Sequence, residues 1–222
     1  MDRMVKVTGK GKVSIKPDMI RLTMELCDVC ESYEKTLQKS SDQVNVLKKI
    51  FEGLGFQGGD VKTTYFNVDT KYESYKDWHN DYKQKFIGYE FKHNLKLEFN
   101  ADNKLLGKIL YALAHGPVRP KFQIMYTVKD SETAKNELIR RAVANSKDKA
   151  AVLAEAAGVE LKQIVTIDYS WAEMNLFVRP ANRILAPMAA MECDRGSGSY
   201  EIDIEPENIE VTDTVTVVWE IM

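Results

Sequence analysis

Cys27-Asp28-Val29-Cys30 has the two-residue spacing of a redox dithiol or of half a metal site, and no other part of this 222-residue chain points as directly at chemistry. Cys30 lies just before a helix start, a place where reactive cysteines occur. The local pattern opposes that use. Ile20, Leu22, Met24 and Leu26 alternate with Arg21, Thr23 and Glu25, which predicts a strand running to about Val29. On a strand, positions 27 and 30 have opposite parity and point to opposite faces, whereas a redox pair begins in a loop and places its second cysteine inside the helix. The pair therefore reads as structural. Thiol redox chemistry at Cys27 and Cys30 is the competing function. Cys193, in a stretch without periodicity, reads as a solitary oxidation target.

The remaining reactive residue types form no constellation. His79, His93 and His115 stand far apart, with no cysteine or carboxylate at ligand spacing, so no metal and no cofactor is expected. His93 occupies the apolar register of its strand and reads as a core histidine satisfied by a hydrogen bond. Gly9-Lys10-Gly11-Lys12 lacks the lysine-serine or lysine-threonine ending of a phosphate loop and falls inside a strand pattern. Lys92 and Lys96 share a strand with Tyr89 and Phe91, but parity separates lysines from aromatics, so nucleic acid is not an expected partner. Arg140-Arg141 reads as a solvated helix face. No catalytic residue is assigned, and the chain is expected not to be an enzyme.

Two segments instead suggest contact surfaces. The stretch from Trp171 to Pro206 is long for a connection inside a compact domain and carries Leu176-Phe177-Val178 and Ile184-Leu185-Ala186-Pro187-Met188-Ala189-Ala190-Met191. These apolar runs either fold over their own sheet or pack on another molecule, where methionine adapts to imperfect surfaces. Leu176, Phe177, Ile184, Leu185, Pro187, Met188 and Met191 are the candidate contacts to a second copy or a client protein. The charged, aromatic stretch from Tyr72 to Phe86 adds Tyr75 and Trp78, and is expected to be a long hairpin connection.

The elements that would hold these segments are legible from periodicity. Every odd position from Val5 to Ile15 is apolar or glycine, a strand whose Gly9 and Gly11 leave room for another element to lie against its backbone. Pro17-Asp18 is expected to turn it into the second strand. Leu37, Val44, Leu47, Phe51 and Leu54 mark a helix over 32–54, followed by a strand near 61–71. Tyr89 to Phe99 alternates cleanly, a helix spans 103–115, and a strand runs over 122–128. Ser131 is placed as the N-cap of an alanine-rich helix to Ala157 with Gly158 as its stop, Lys135, Arg141, Lys147 and Lys149 facing outward. Strands at 164–169 and 209–221 end the pattern, with Asp213 alone out of register. The fold class is α+β: two two-layer sandwich units with mainly antiparallel sheets packed by helices. The expected first unit is 1–71 plus 208–222. Residues 72–87 connect it to a second, ferredoxin-like unit at 88–170, and 171–207 is the long loop.

With 44% hydrophobic residues the chain can bury sizeable cores, and its formal charge of −2, made of both signs, provides no field to gather nucleic acid or an anionic membrane. No run approaches the length of a membrane span. Met1-Asp2-Arg3 leads into the first strand without an apolar leader, which predicts a cytoplasmic chain, or an exported one if a leader has been removed. Three cysteines without framework spacing fit a reducing compartment.

The stretch from Val5 through Val29 with the helix after it resembles the SIMPL domain family, also called DUF541. The same resemblance extends to Arg140-Arg141-Ala142-Val143-Ala144, to Leu153-Ala154-Glu155-Ala156-Ala157-Gly158-Val159 and to the loop Ala186–Met191. It implies two α+β units and assembly into closed homo-oligomers, with no established catalytic residues. Bacterial members of the periplasmic immunogenic type are associated with oxidative-stress defence, and the mammalian namesake is a signalling protein. The leading expectation is a homo-oligomeric, non-enzymatic scaffold or binding protein linked to stress protection. The alternatives are the thiol redox protein and a protein-binding signalling adaptor.

Overall fold

The structure, a computed structural model, describes residues 3–169, 176–179, 200 and 204–222. The described elements follow the chain as β1 (Met4–Ile15), β2 (Met19–Cys30), α1 (Tyr33–Glu52), β3 (Lys62–Lys76), β4 (Tyr82–Asn100), α2 (Asn103–His115), β5 (Lys121–Thr127), α3 (Ser131–Ala157), β6 (Leu161–Asp168), β7 (Phe177–Val178) and β8 (Ile209–Ile221). They form two compact units. One comprises Met1–Asp18, Thr127–Val178 and Pro206–Met222; the other comprises Met19–Tyr126 and Arg179–Glu205.

The first unit is a three-stranded antiparallel sheet in the order β1-β8-β6 with α3 packed on it. β1 matches β8 without a break from Met4↔Glu220 to Ile15↔Ile209, so the odd-numbered apolar residues of both strands share one face. That face meets the slim side of α3. A Cβ on Gly9 would overlap the Ala142 carbonyl and the Ser146 backbone, and one on Gly11 would overlap the Leu138 carbonyl. The glycines therefore do what the strand pattern predicts, letting a helix lie against bare backbone. Ala142, Ser146 and Ala150 are fully buried there, and Val7, Val215, Val217 and Trp219 complete the packing. The helix begins behind Asp130, whose carboxylate accepts from the Thr133 N–H at 2.9 Å, so the cap is Asp130 rather than Ser131. It ends at Gly158, in the left-handed region at φ 66°. Asp213, the charge out of register in β8, accepts a 2.7 Å bond from the Tyr169 hydroxyl. Burial and that carboxylate raise the hydroxyl's pKa to about 12.

α3 also closes the free edge of β1. Lys10 donates its backbone N–H to Asn145 Oδ1 at 2.9 Å, Arg141 Nη1 donates to the Lys12 carbonyl at 3.0 Å, and Lys149 Nζ donates to the Thr8 carbonyl at 3.1 Å. Residues 8, 10 and 12 share the parity that points away from β8, so one helix satisfies the groups an edge strand leaves open. Arg141 and Lys149 thus turn back onto the strand instead of outward as the sequence suggests.

The second unit reads β2-α1-β3-β4-α2-β5, and its strands lie in the order β3-β4-β2-β5. That is the split βαβ arrangement of a ferredoxin-like plait. The plait occupies residues 19–126 instead of 88–170. Ile20, Leu22, Leu47, Phe51, Phe91, Leu95, Leu97, Leu106 and Ile109 fill its core between sheet and helices, all fully excluded from solvent. The boundaries differ from the sequence reading because Pro17-Asp18 does not close a hairpin. The Asp18 N–H donates to the Thr127 carbonyl at 3.1 Å and its carboxylate accepts from the Lys129 N–H at 2.8 Å. β1 and β2 accordingly belong to different sheets. Alternation states which face of a strand is buried and leaves its partner open.

Candidate functional site

β2 stops at Cys30, opposite Tyr89, while β3 and β4 continue past it as a two-stranded ribbon to a turn over 77–81. The stretch expected to be a long hairpin connection is therefore mostly strand, with its turn confined to 77–81. Its apolar period is hidden because Ile87 is an extra residue in β4: Lys71 faces Gly88 and Tyr72 faces Phe86, so the parity of the strand changes there. Gly88, at φ 142°, makes that bulge possible, and a side chain on it would overlap the Cys30 carbonyl.

The ribbon carries aromatic rings into solvent. Tyr72 meets Phe86 at 5.7 Å, Phe86 meets Tyr89 at 5.4 Å and Tyr89 meets Tyr33 at 5.5 Å, all edge to face, so the stripe runs from the ribbon to the start of α1. Trp78 at the tip is 90% exposed and Tyr82 is 76% exposed, with the Lys76 ammonium 5.0 Å from the Tyr82 ring centre. The tip is organised by Asp77, whose carboxylate accepts from the N–H groups of His79 at 2.9 Å and Asp81 at 3.1 Å and from Lys83 Nζ at 2.7 Å. The Lys83 contact holds the Asp77 carboxyl below the ordinary aspartate range. Asn80 takes the left-handed conformation at φ 69°, as asparagine in a tight turn does. An exposed tryptophan on a hydrogen-bonded turn is suited to contact, because little conformational freedom remains to be lost on binding.

Tyr75 and Trp78 both lie on this ribbon, Tyr75 at 46% exposure. Leu176 does not join them. It is buried with Val13, Leu138, Ile209 and Val211, and its carbonyl accepts a 2.7 Å bond from Thr127 Oγ1, so it belongs to the core of the first unit. Phe177 is half-buried in β7 beside it. Ile184, Leu185, Pro187, Met188, Met191 and Cys193 lie outside the described residues. The ribbon left a signal in the sequence: Thr70, Tyr72 and Tyr75 are strand formers, and Asn80-Asp81 supply the turn.

The thiols have different surroundings. Cys27 is exposed on the polar face of the second sheet, where partial burial, then Glu90 and Glu25, raise its pKa, so the thiolate is disfavoured. Cys30 ends β2 at the opposite parity. Lys96 lies 3.4 Å from Glu98 and Lys92 4.0 Å from Glu90, so the lysines of this face already meet carboxylates. His93 bridges α1 and β3, with Nδ1 3.0 Å from Ser40 Oγ and Nε2 2.8 Å from Thr63 Oγ1. Burial, with Lys48 nearby, holds its pKa below the ordinary histidine value. Ser40 is only 2% exposed, so no substrate could reach that hydroxyl. Among the described residues no group of three or more histidines, cysteines or carboxylates is placed to hold a metal ion, and no helix is long and apolar enough to cross a membrane.

Comparison with known proteins adds a family and two relatives. The model of the SIMPL family, described as a protein of unknown function (DUF541), matches residues 5–219. The 26 kDa periplasmic immunogenic protein of Brucella melitensis is 27% identical over 164 residues, which are 73% of this chain and 65% of the relative. The protein of the same name from Brucella abortus is 26% identical over the same shares. The match thus spans somewhat less than two thirds of these relatives' length.

Proposed function

The chain belongs to the SIMPL family, and from that premise we propose that it is a non-enzymatic, self-associating scaffold or binding protein that uses the aromatic ribbon beyond Gly88 as a contact surface. The observation that carries this reading is Trp78, 90% exposed at the end of a ribbon whose turn is locked by Asp77. A monomer gains nothing in stability from exposing that ring, while a partner surface that buries it gains roughly 2 kcal/mol or more, the usual value of an aromatic anchor at the centre of an interface. The apolar segment from Ile184 to Met191 is a second contact in this reading, on composition alone. The relatives' name supports a periplasmic place of action over a cytoplasmic one. A role in stress protection is part of the same proposal, supported by the family resemblance alone.

Thiol redox chemistry is disfavoured by the raised pKa of Cys27 and by the opposite parity of Cys30. Replacing both with serine should leave any protective activity against peroxide intact. The central test is the solution mass of the chain by light scattering, beside a variant with Tyr75, Trp78 and Tyr82 changed to serine. A defined oligomer that dissociates in the variant supports the proposal; a monomer in both defeats self-association and turns the ribbon toward a client protein.

A further inference from the structure

The outermost strand of the second unit, β3, is exposed along most of its length and follows β4 from Tyr65 to Lys76 with no extra residue of its own. Among the described residues no element pairs with its outer side, so the backbone groups pointing that way form an open template for another strand. We propose that this edge pairs antiparallel with β3 of a second copy, about a two-fold axis at Thr70, continuing the sheet from one molecule into the next. The inference rests on the self-association proposed above and adds the edge of β3 to the ribbon as a contact surface.

The register follows from charge and ring placement. Asp69 has no cation within ion-pair distance among the described residues, and Lys71 is held on the same face by Glu90 at 2.8 Å. With Thr70 on the axis, Asp69 lies opposite Lys71 of the second copy, and the symmetry makes the contact twice. Val68, half-buried against the core, then faces the exposed Tyr72, and the exposed Tyr65 faces the exposed Tyr75. An axis at Asp69 or at Lys71 would set like charges against each other. An axis at Tyr72 would oppose Lys71 and Glu73 but would set Val68 against Lys76 and Asp69 against Tyr75. Of these registers, the one at Thr70 opposes Asp69 to Lys71 and brings Val68 to Tyr72 and Tyr65 to Tyr75, with Phe66 opposite Ser74. The occupant is a second copy because the edge complements itself.

The test uses the full chain with Cys27, Cys30 and Cys193 replaced by serine. Directly opposed residues of paired strands lie within disulfide range, so Thr70→Cys should form a covalent dimer under mild oxidation at least about tenfold faster than Asn67→Cys, which this register keeps far from its own copy. A charge reversal checks the same point without a cysteine: Asp69→Lys should weaken association about tenfold, because two attractions become two repulsions. A defined oligomer in which Thr70→Cys cross-links no faster than Asn67→Cys and Asp69→Lys has no effect overturns this edge and leaves assembly through another surface. A chain that is monomeric by light scattering overturns both readings.

Discussion

β1 and β3 are each the outermost strand of a sheet, and each is long, but among the described residues only β1 has its free edge occupied. Asn145, Arg141 and Lys149 of α3 reach over β1 and bond the N–H of Lys10 and the carbonyls of Lys12 and Thr8. They can do so because Gly9 and Gly11 let the helix backbone lie against the strand. β3 has neither glycines nor a helix beside its outer side among the described residues, and it carries exposed rings at Tyr65, Phe66, Tyr72 and Tyr75. An edge strand costs a protein its solubility unless something covers it. One strand is covered from within the chain; the other is the one proposed to be covered by a second copy.

The comparison breaks most sharply at the glycines. Gly9→Val should destabilise the chain by about 3 kcal/mol or more, because the atoms in its way are the backbone of α3, which cannot rotate aside. Urea denaturation measures this, and a loss below about 1 kcal/mol would mean the helix can shift away, contrary to the tight seat described. Next in size, Asn145→Ala leaves the Lys10 N–H without its partner and should cost about 1 kcal/mol. The triple change Arg141→Ala, Asn145→Ala and Lys149→Ala should also open β1 enough to raise association above the wild-type level in light scattering. Unchanged association would show that the helix shields the edge by bulk and not by these three bonds. In the opposite direction, Ser146→Ala should stabilise by about 1 kcal/mol. The Ser146 hydroxyl is fully buried with no hydrogen-bond partner among the described residues, and alanine keeps the small size that the Gly9 contact needs.

Acid should act on the attachment of β3 instead. Above pH 6.5 His93 is neutral both folded and unfolded, so stability is at its full value. Its folded pKa lies below the ordinary 6.5, so as pH falls the unfolded chain takes up the proton first. Stability is therefore lost as pH falls from 6.5 through the folded pKa. Comparing denaturation at several pH values in wild type and in His93→Gln isolates this slope, which the variant should lack. The smallest expected effect on stability is at the tip: Trp78→Ser should change it by less than about 0.5 kcal/mol, since the ring is almost wholly in solvent. A larger loss would make the ribbon part of the monomer's own core and remove the reason for assigning it to a partner.

Much of the architecture is legible in residue order because burial imposes a period. The odd positions of β1, the clean alternation from Tyr89 to Phe99, the boundaries of α2 and β8 and the stop at Gly158 all follow from which side of an element must leave water. So does the role of Gly9 and Gly11, two missing side chains on a face that is otherwise apolar. The ribbon escapes that logic, since both of its faces are exposed and the bulge at Ile87 and Gly88 changes its parity midway. Residue order therefore marks Tyr75 and Trp78 without the form of the ribbon, and it sets Leu176 beside them although Thr127 ties that residue to its own core.

What residue order alone determined was the set of elements and the buried face of each, because those depend on contacts between near neighbours and on solvent. Which strand lies beside which was decided only in three dimensions. Pro17-Asp18 looks like any tight connection, yet β1 pairs with β8 some two hundred positions away, and the plait forms from 19–126. A strand offers the same backbone groups to every possible neighbour, so partner choice depends on the summed fit of whole faces. The same holds for the edges: the bonds from Asn145, Arg141 and Lys149 to β1 exist only once α3 has settled on the glycines, and the openness of β3 appears only when every other described element has found its place.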